Sequence, residues 1–348
     1  MSDHGPVVVT EGLTKKYGEF VALDDLSISL ERGHVLGFIG PNGAGKTTTI
    51  RILVGLARPT SGNARIAGVD CARDSRKIKR LVGYMPDRFG SYDNMRVREY
   101  LDFFGATFGI PRKQRARRID EVLETTNALW MKDRYVESLS HGMAQRVGIA
   151  RTLLHDPEVL ILDEPANGLD PEARVEMRHL LLRLAEMGKT LIVTSHILPE
   201  LARVCDVIAI ITQGRLRAFG TLDHIMRTVT QERTIEVQLT SEGDLERAAA
   251  VVRRCLGEGA DAAVSPAELM VRFRTARREK DLGELLATLV RENLSVTQFR
   301  ELQSDLEEAF LSVTRTDAEA RPAGPAPPRA PAARKDAPAL AVGTGGSP

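Results

Sequence analysis

Hydrophobic positions along this chain follow two rhythms. Apolar stretches predict buried strands at residues 34–39, 81–85, 159–162 and 190–194, and runs at 207–211 and 215–218 predict a closing hairpin around Gly214. Period-two alternation predicts half-buried strands where Leu26, Ile28 and Leu30 recur, and again at Ile235, Val237 and Leu239 and at Leu269, Val271 and Phe273. Shorter runs at 7–10, 21–23, 64–67 and 296–299 add strands, and a turn is predicted at 59–63. The second rhythm is helical. Met177, Leu180, Leu181, Leu184 and Ala185 form an i, i+3, i+4, i+7, i+8 stripe behind an Asp170-Pro171 start. Leu282, Leu285, Leu286 and Leu289 form another, and 245–256 reads as a helix between two C-terminal strands. Residues 94–156 read mainly as helix. Ser304-Asp305-Leu306-Glu307 fits a capping box ahead of a last short helix.

Strands alternating with helices predict an α/β class. Within it, Gly40-Pro41-Asn42-Gly43-Ala44-Gly45-Lys46-Thr47 fits G-x-x-x-x-G-K-[ST], with a predicted strand before it and a helix start from Thr48 after it. Glycines let such a loop turn with its N–H groups inward, as a nest for phosphate oxygens. The following helix N-terminus adds partial positive charge. Lys46 is placed to reach the β- and γ-phosphates, and the Thr47 hydroxyl to hold Mg²⁺.

Asp163 and Glu164 close the aliphatic run at 159–162. Ligands in α/β sheets sit outside the carboxyl ends of strands, so Asp163 is a Mg²⁺ ligand candidate, directly or through water. Glu164 is a general-base candidate for polarising water. Tyr17 is either an adenine-stacking ring or a half-buried strand tyrosine. Ser140 is a plausible N-cap of a helix running towards Leu154. His196 ends the run at 190–194, either as a γ-phosphate contact or as a structural histidine. The basic segments 73–80 and 112–118 read first as solvated helix faces. A phosphate patch for the former, and a partner chain or lipid headgroups for the latter, are the alternatives.

Taken together, residues 7–228 resemble the nucleotide-binding subunit of ATP-binding cassette transporters. The motifs GPNGAGKTT, LSHGMAQ, LILDEP, the Gly168-to-Asp170 GLD and the Ser195-His196 switch occur in the family's order. The resemblance implies a P-loop NTPase cassette: a mixed core sheet flanked by helices, an antiparallel β subdomain and a helical subdomain at about 94–156. It implies ATP and Mg²⁺ as cofactors, with Gly40 to Thr48 and Tyr17 around the nucleotide and Thr47, Asp163 and Asp87 around the metal. It also implies a homodimer or heterodimer of such subunits, in which Ser140 and Gly142 of one close over the γ-phosphate held at Lys46 of the other. Asp170 would then communicate across the dimer and His196 would sense the γ-phosphate. Three positions depart from the fullest pattern. His141 replaces the first signature glycine, Met143 stands where glutamine is usual, and Asp87 stands in place of the glutamine that links the Mg²⁺ site to the transmembrane partner. The segment 232–315 looks like the small α+β C-terminal extension of exporter cassettes whose permeases are separate chains. It either only packs or dimerises, or has a regulatory role. Residues 316–348 are rich in Pro, Ala and Gly and are expected to be disordered.

Composition narrows the partners. A net charge of +1 gives no global attraction for nucleic acid, and none is expected as a partner. Cys71, Cys205 and Cys255 are widely spaced, suggesting reduced thiols and no metal site. No secretion leader is visible, and no apolar run approaches the ~20 residues that cross a bilayer. The expectation is an ATPase at the cytoplasmic face of the cell membrane, held there by an integral-membrane permease and driving export. A soluble cassette ATPase or a nucleotide-dependent regulatory module is the alternative.

Overall fold

A computed structural model describes residues 5–87, 90, 94–229, 233–257, 262–275, 277 and 279–302. The chain opens with a long hairpin, β1 (Val8–Tyr17) and β2 (Phe20–Leu30), followed by β3 (Val35–Ile39) and α1 (Lys46–Leu53). Next come β4 (Ser61–Ile66), β5 (Val69–Asp70), α2 (Ser75–Leu81) and β6 (Val82–Met85). A helical stretch of α3 (Val97–Thr107), α4 (Arg112–Thr125) and α5 (His141–Leu153) leads to β7 (Val159–Leu162). Then α6 (Pro171–Glu186), β8 (Thr190–Ser195), α7 (Leu198–Leu201), β9 (Val207–Thr212), β10 (Arg215–Gly220) and α8 (Leu222–Val229) complete this part.

The central sheet has the order β10-β9-β3-β8-β7-β6, parallel except for β10. Its parallel strands are buried on both faces, which explains their apolar character, whereas the edge strand β10 is half-exposed. Leu160, Leu162, Leu191, Val193, Ile208 and Ile210 face a core shared with α3, α4, α5 and α6. Val159, Ile161, Ile192, Ala209 and Ile211, one residue out of step, face a core shared with α1 and the β2-β1-β4-β5 sheet. The predicted mixed core sheet, antiparallel β layer and helical layer are all present.

Several sequence expectations need correction. The stretches at 21–23 and 26–30 are one strand, because the break at Asp24-Asp25 is an irregularity in the ladder with Asp25 at φ 58° and not a turn. The turn predicted at 59–63 yields Ser61 to Asn63 to β4. Glycine at 62 allows it, since a Cβ there would lie 2.2 Å from the Gly12 carbonyl oxygen. The basic run at 112–118 is only partly solvated. Arg115 makes a two-point ion pair with Asp102, at 2.6 and 3.2 Å, and Arg118 turns inward to donate to the Leu153 and Leu154 carbonyls. Those carbonyls end α5, so Arg118 satisfies acceptors that the helix leaves open.

The C-terminal part runs β11 (Arg233–Leu239), α9 (Leu245–Leu256), β12 (Ala262–Ser265), β13 (Met270–Thr275), α10 (Glu279–Arg291) and β14 (Val296–Leu302). Its antiparallel sheet, ordered β12-β13-β11-β14, is the split β-α-β arrangement. The core around Val237, Val252, Phe273 and Leu289 shares no residue with the other two. Leu269, predicted in a strand, instead turns at φ 49° ahead of β13. β12 was not predicted, because Ala262 to Ser265 carries too little hydrophobic contrast. The helix predicted at Ser304 and the tail at 316–348 lie outside the described residues.

Because β7 is paired on both sides and wholly buried, Leu160→Ala leaves a cavity with no route to collapse. It should cost about 3 kcal/mol, read as a lowered urea midpoint with an unchanged slope. A loss under about 1 kcal/mol would show that the sheet repacks there.

Candidate functional site

The parallel strands bring four turns to one edge. The loop after β3, Asp87 beyond β6, the Asp163-Glu164 pair after β7 and His196 after β8 all lie at carboxyl ends. The glycine loop is tied down at several points. Gly40 N–H donates to the Ser195 carbonyl at 3.3 Å, Ala44 N–H to the Pro41 carbonyl at 3.1 Å, and Gly214 N–H to the Ala44 carbonyl at 2.8 Å. Gly45 holds φ 110°, and a Cβ there would lie 2.8 Å from both the Ala22 carbonyl oxygen and Leu23 Cδ2. No side chain caps α1 and no acid stands in its first turn. Its leading N–H groups and partial positive charge are therefore left for an anion.

Lys46 is only 6% exposed. Its ammonium donates to the Gly40 and Pro41 carbonyls at 2.6 and 3.3 Å and lies 3.4 Å from Glu164 Oε1. The other Glu164 oxygen contacts His196 Nδ1 at 2.9 Å. The Glu164 carboxylate thus bridges the lysine of the loop and the histidine of the switch. Asp163 is buried. Its N–H donates to the Met85 carbonyl at 2.9 Å, and its Oδ1 accepts from the Thr194 hydroxyl at 2.8 Å. Burial pushes the Asp163 carboxyl above the usual range. The Thr194 hydrogen bond opposes this, the charges of Glu164 and Asp87 add to it, and Lys46 opposes it again.

A cavity of about 460 Å³ is lined by Pro41 through Thr48, by Asp87, Asp163, Glu164, Asn167 and His196, and by Phe20 and Ala22. The sequence-predicted residues of the loop, the acid pair and the switch are therefore together. Gly40 sits behind the lining and anchors the loop. Tyr17 does not line the cavity: it is partly exposed, with the Lys15 ammonium over its ring, and it pairs across the hairpin with Phe20, which does. Ser140 and Gly142 lie outside the cavity too, at the start of α5. There Ser140 caps Met143 N–H, and Gly142 faces Leu169 and Ala173.

Sequence reasoning missed Asn167, Phe20 and Thr194. Asn167 donates to Asp87 Oδ1 at 3.2 Å, while its carbonyl meets His141 Nε2 at 2.9 Å. The donor set suits a triphosphate with a hard cation: an ammonium and loop amides on one wall, carboxylate and hydroxyl oxygens on the other. Among the described residues no three His, Cys, Asp or Glu side chains converge as an all-protein metal cage.

Comparison with known proteins places this geometry. The ABC transporter family model matches residues 23–167. The linearmycin resistance ATP-binding protein LnrL of Bacillus subtilis is 34% identical over 304 residues, spanning 87% of this chain and 97% of LnrL. The chain belongs to the ABC transporter ATP-binding proteins. The alignment with LnrL is longer than the stretch 7–228, so it extends into the C-terminal part as well. The bacitracin transport ATP-binding protein BcrA of Bacillus licheniformis is 42% identical over 68% of this chain and 76% of BcrA. Two solved structures, an ATP-binding subunit of an ABC transporter and cbiO1 of Clostridium perfringens, both superpose with a TM-score of 0.58. They are 30% and 28% identical, cover 64% and 65% of this chain, and are themselves covered to 92% and 95%. The protein is an ATP-binding, ATP-hydrolysing subunit of an ABC transporter, which sets aside the soluble and purely regulatory alternatives. Among the described residues no helix is long and apolar enough to cross a membrane.

Adding a methyl at position 45 closes the loop against the β2 backbone. Gly45→Ala should weaken Mg-ATP binding at least about tenfold, the equivalent of about 1.4 kcal/mol, in a fluorescent-nucleotide titration. Unaltered affinity would mean that the loop tolerates another path.

Proposed function

We propose that this subunit binds ATP with Mg²⁺ in the cavity at the carboxyl edge of the central sheet, and that hydrolysis there drives export by a separate membrane permease. The observation that carries this reading is the convergence of Lys46, Asp163, Glu164 and His196 on one cavity. Residues 7–228 act as the nucleotide-binding unit and 232–315 as a separate small α+β unit. The loop amides from Pro41 to Thr48 and the Lys46 ammonium take the phosphates. Lys46 has two carbonyl partners to exchange for phosphate oxygens, so its charge stays compensated throughout. The adenine stacks against the hairpin end that carries Tyr17 and Phe20. A Mg²⁺ ion held by Thr47 and Asp163, with Asp87 behind them, would offset charge on the β- and γ-phosphates.

Glu164 accepts the proton of the attacking water, and His196, on its second oxygen, keeps that carboxylate aimed and meets the γ-phosphate. Ser140 and Gly142 act in trans: in a dimer of such subunits they close over the γ-phosphate bound at Lys46 of the partner. The capped start of α5 suits that task, since it offers a helix N-terminus to an anion. ATP then favours the closed dimer, and hydrolysis releases it. The names of relatives support outward transport, including the Nod factor export ATP-binding protein I of Ralstonia nicotianae, 40% identical over 62% of this chain and 67% of that protein. The permease supplies the membrane part, which places this subunit on the cytoplasmic face of the cell membrane.

Glu164→Gln removes the proton acceptor and keeps the shape, so turnover should fall about 10²- to 10⁴-fold. The variant should elute as an ATP-dependent dimer in size-exclusion chromatography. Hydrolysis at the parent rate would take the base role away from Glu164. Lys46→Ala should cost about 10²-fold or more in steady-state hydrolysis at saturating Mg-ATP, and normal turnover would remove the lysine from the mechanism.

A further inference from the structure

Thr194 is fully buried near the end of β8, directly after the aliphatic run Leu191-Ile192-Val193. Its hydroxyl does two jobs. The oxygen accepts the Glu164 N–H at 2.8 Å, and the O–H donates to Asp163 Oδ1 at 2.8 Å. One side chain therefore joins the backbone of one candidate catalytic acid to the carboxylate of its neighbour. Glu164 needs such a restraint. Its φ of 52° lies in the left-handed region, which a side chain with a Cβ adopts at a cost. The next positions on the chain work alongside it. Ser195 carbonyl receives Gly40 N–H, and the His196 ring holds the Glu164 carboxylate. The end of β8 thus grips the loop, the metal-side acid and the base-side acid from three consecutive residues.

We infer that Thr194 is a positioning residue for hydrolysis, locking Asp163 and Glu164 into one rigid turn so that the metal-side carboxylate and the base keep a set relation. A hydroxyl on a β-branched side chain is well suited to the post. It supplies a donor and an acceptor from one atom, while its methyl group fills the core as valine would. Valine matches the shape and offers neither hydrogen bond, leaving a buried carboxylate oxygen and a backbone N–H without their partner. Thr194 touches neither phosphate nor water in this role and acts only through the two acids. The inference rests on the hydrolysis reading above, and the test separates the two.

The test uses the full chain and its Thr194→Val and Thr194→Ser variants. Mg-ATP affinity is measured by fluorescent-nucleotide titration, turnover by phosphate release, and exchange of the Glu164 amide by hydrogen–deuterium NMR or mass spectrometry. Thr194→Val should lose about tenfold or more in kcat while Mg-ATP affinity changes less than about threefold. The Glu164 amide should exchange at least about tenfold faster in that variant. Thr194→Ser, which restores the hydroxyl, should recover kcat to within about threefold and restore the protection. Wild-type kcat in the valine variant, a serine variant as impaired as the valine one, or a Glu164 amide unprotected in the wild type would each overturn the inference. If the valine variant does not fold, the serine variant and the wild-type amide still decide it. A wild-type chain without Mg-dependent hydrolysis would instead count against the functional reading, and the exchange measurement would still decide what Thr194 holds.

Discussion

A buried ammonium cannot stand uncompensated, and the geometry of this protein is arranged about the one on Lys46. Moving an isolated charge from water into a protein interior costs far more than a folded domain's net stability. Lys46 meets that cost with two carbonyls from its own loop and with the Glu164 carboxylate. Neither kind of partner is incidental to the site. The carbonyls belong to Gly40 and Pro41, so the charge helps hold the loop's bend. The carboxylate belongs to the strand two places across the sheet, so the charge also ties the loop to the acids. Phosphate oxygens are the natural exchange partners for these contacts, since they bring more negative charge to the same ammonium.

That arrangement is possible only because β9, β3, β8, β7 and β6 run parallel and are covered on both faces. Parallel strands deliver all their carboxyl ends to one edge, and burial of both faces leaves the edge as the place where polar turns reach solvent. The one-residue phase shift between the two cores keeps each strand in register, since a slip would send aliphatic side chains to the wrong layer. Because β7 and β8 are adjacent, with Leu162 opposite Val193, the next residues on each strand, Asp163 and Thr194, come within hydrogen-bonding distance. Strand pairing, set by apolar packing, thereby fixes the distance between polar groups that have no packing of their own.

The parts of this design that announce themselves in sequence are those with a period or a backbone demand. The aliphatic runs predicted the central strands, the Leu and Met stripe predicted α6, and Asp170-Pro171 predicted its start, where Asp170 caps Ala173 N–H at 2.8 Å. The glycine loop and the acid pair were legible because their chemistry needs particular residue types at particular spacing. What stayed hidden depends on neighbours remote in sequence. Thr194 is one of three hydroxyls along β8, and nothing local shows that two acids some thirty residues away will use it. Phe20 lines the cavity where Tyr17 does not, although the two pair directly across the hairpin. Arg118 looked like one more solvated charge until the end of α5 presented it with carbonyls.

Two of the three departures from the fullest family pattern, His141 and Asp87, meet at the loop after Glu164. His141, in place of a signature glycine, sets its ring against the Asn167 carbonyl and lies close to Gly168 and Gln145. Asp87, in place of glutamine, accepts the Asn167 amide. The two unusual residues thus meet at one asparagine, one holding its backbone and the other its side chain. Glycine at 141 would offer no ring to that carbonyl. Met143 departs in another way: its side chain packs against the helical-layer core while its N–H receives the Ser140 cap. Its thioether therefore serves the seating of α5, and the polar duty of the signature turn falls to Ser140 and His141. Position 87 faces the cavity through one end of this chain of contacts, and the signature turn forms the other. The loop from Glu164 to Asp170 is the physical link between them, so a shift of Asn167 would be felt at both ends.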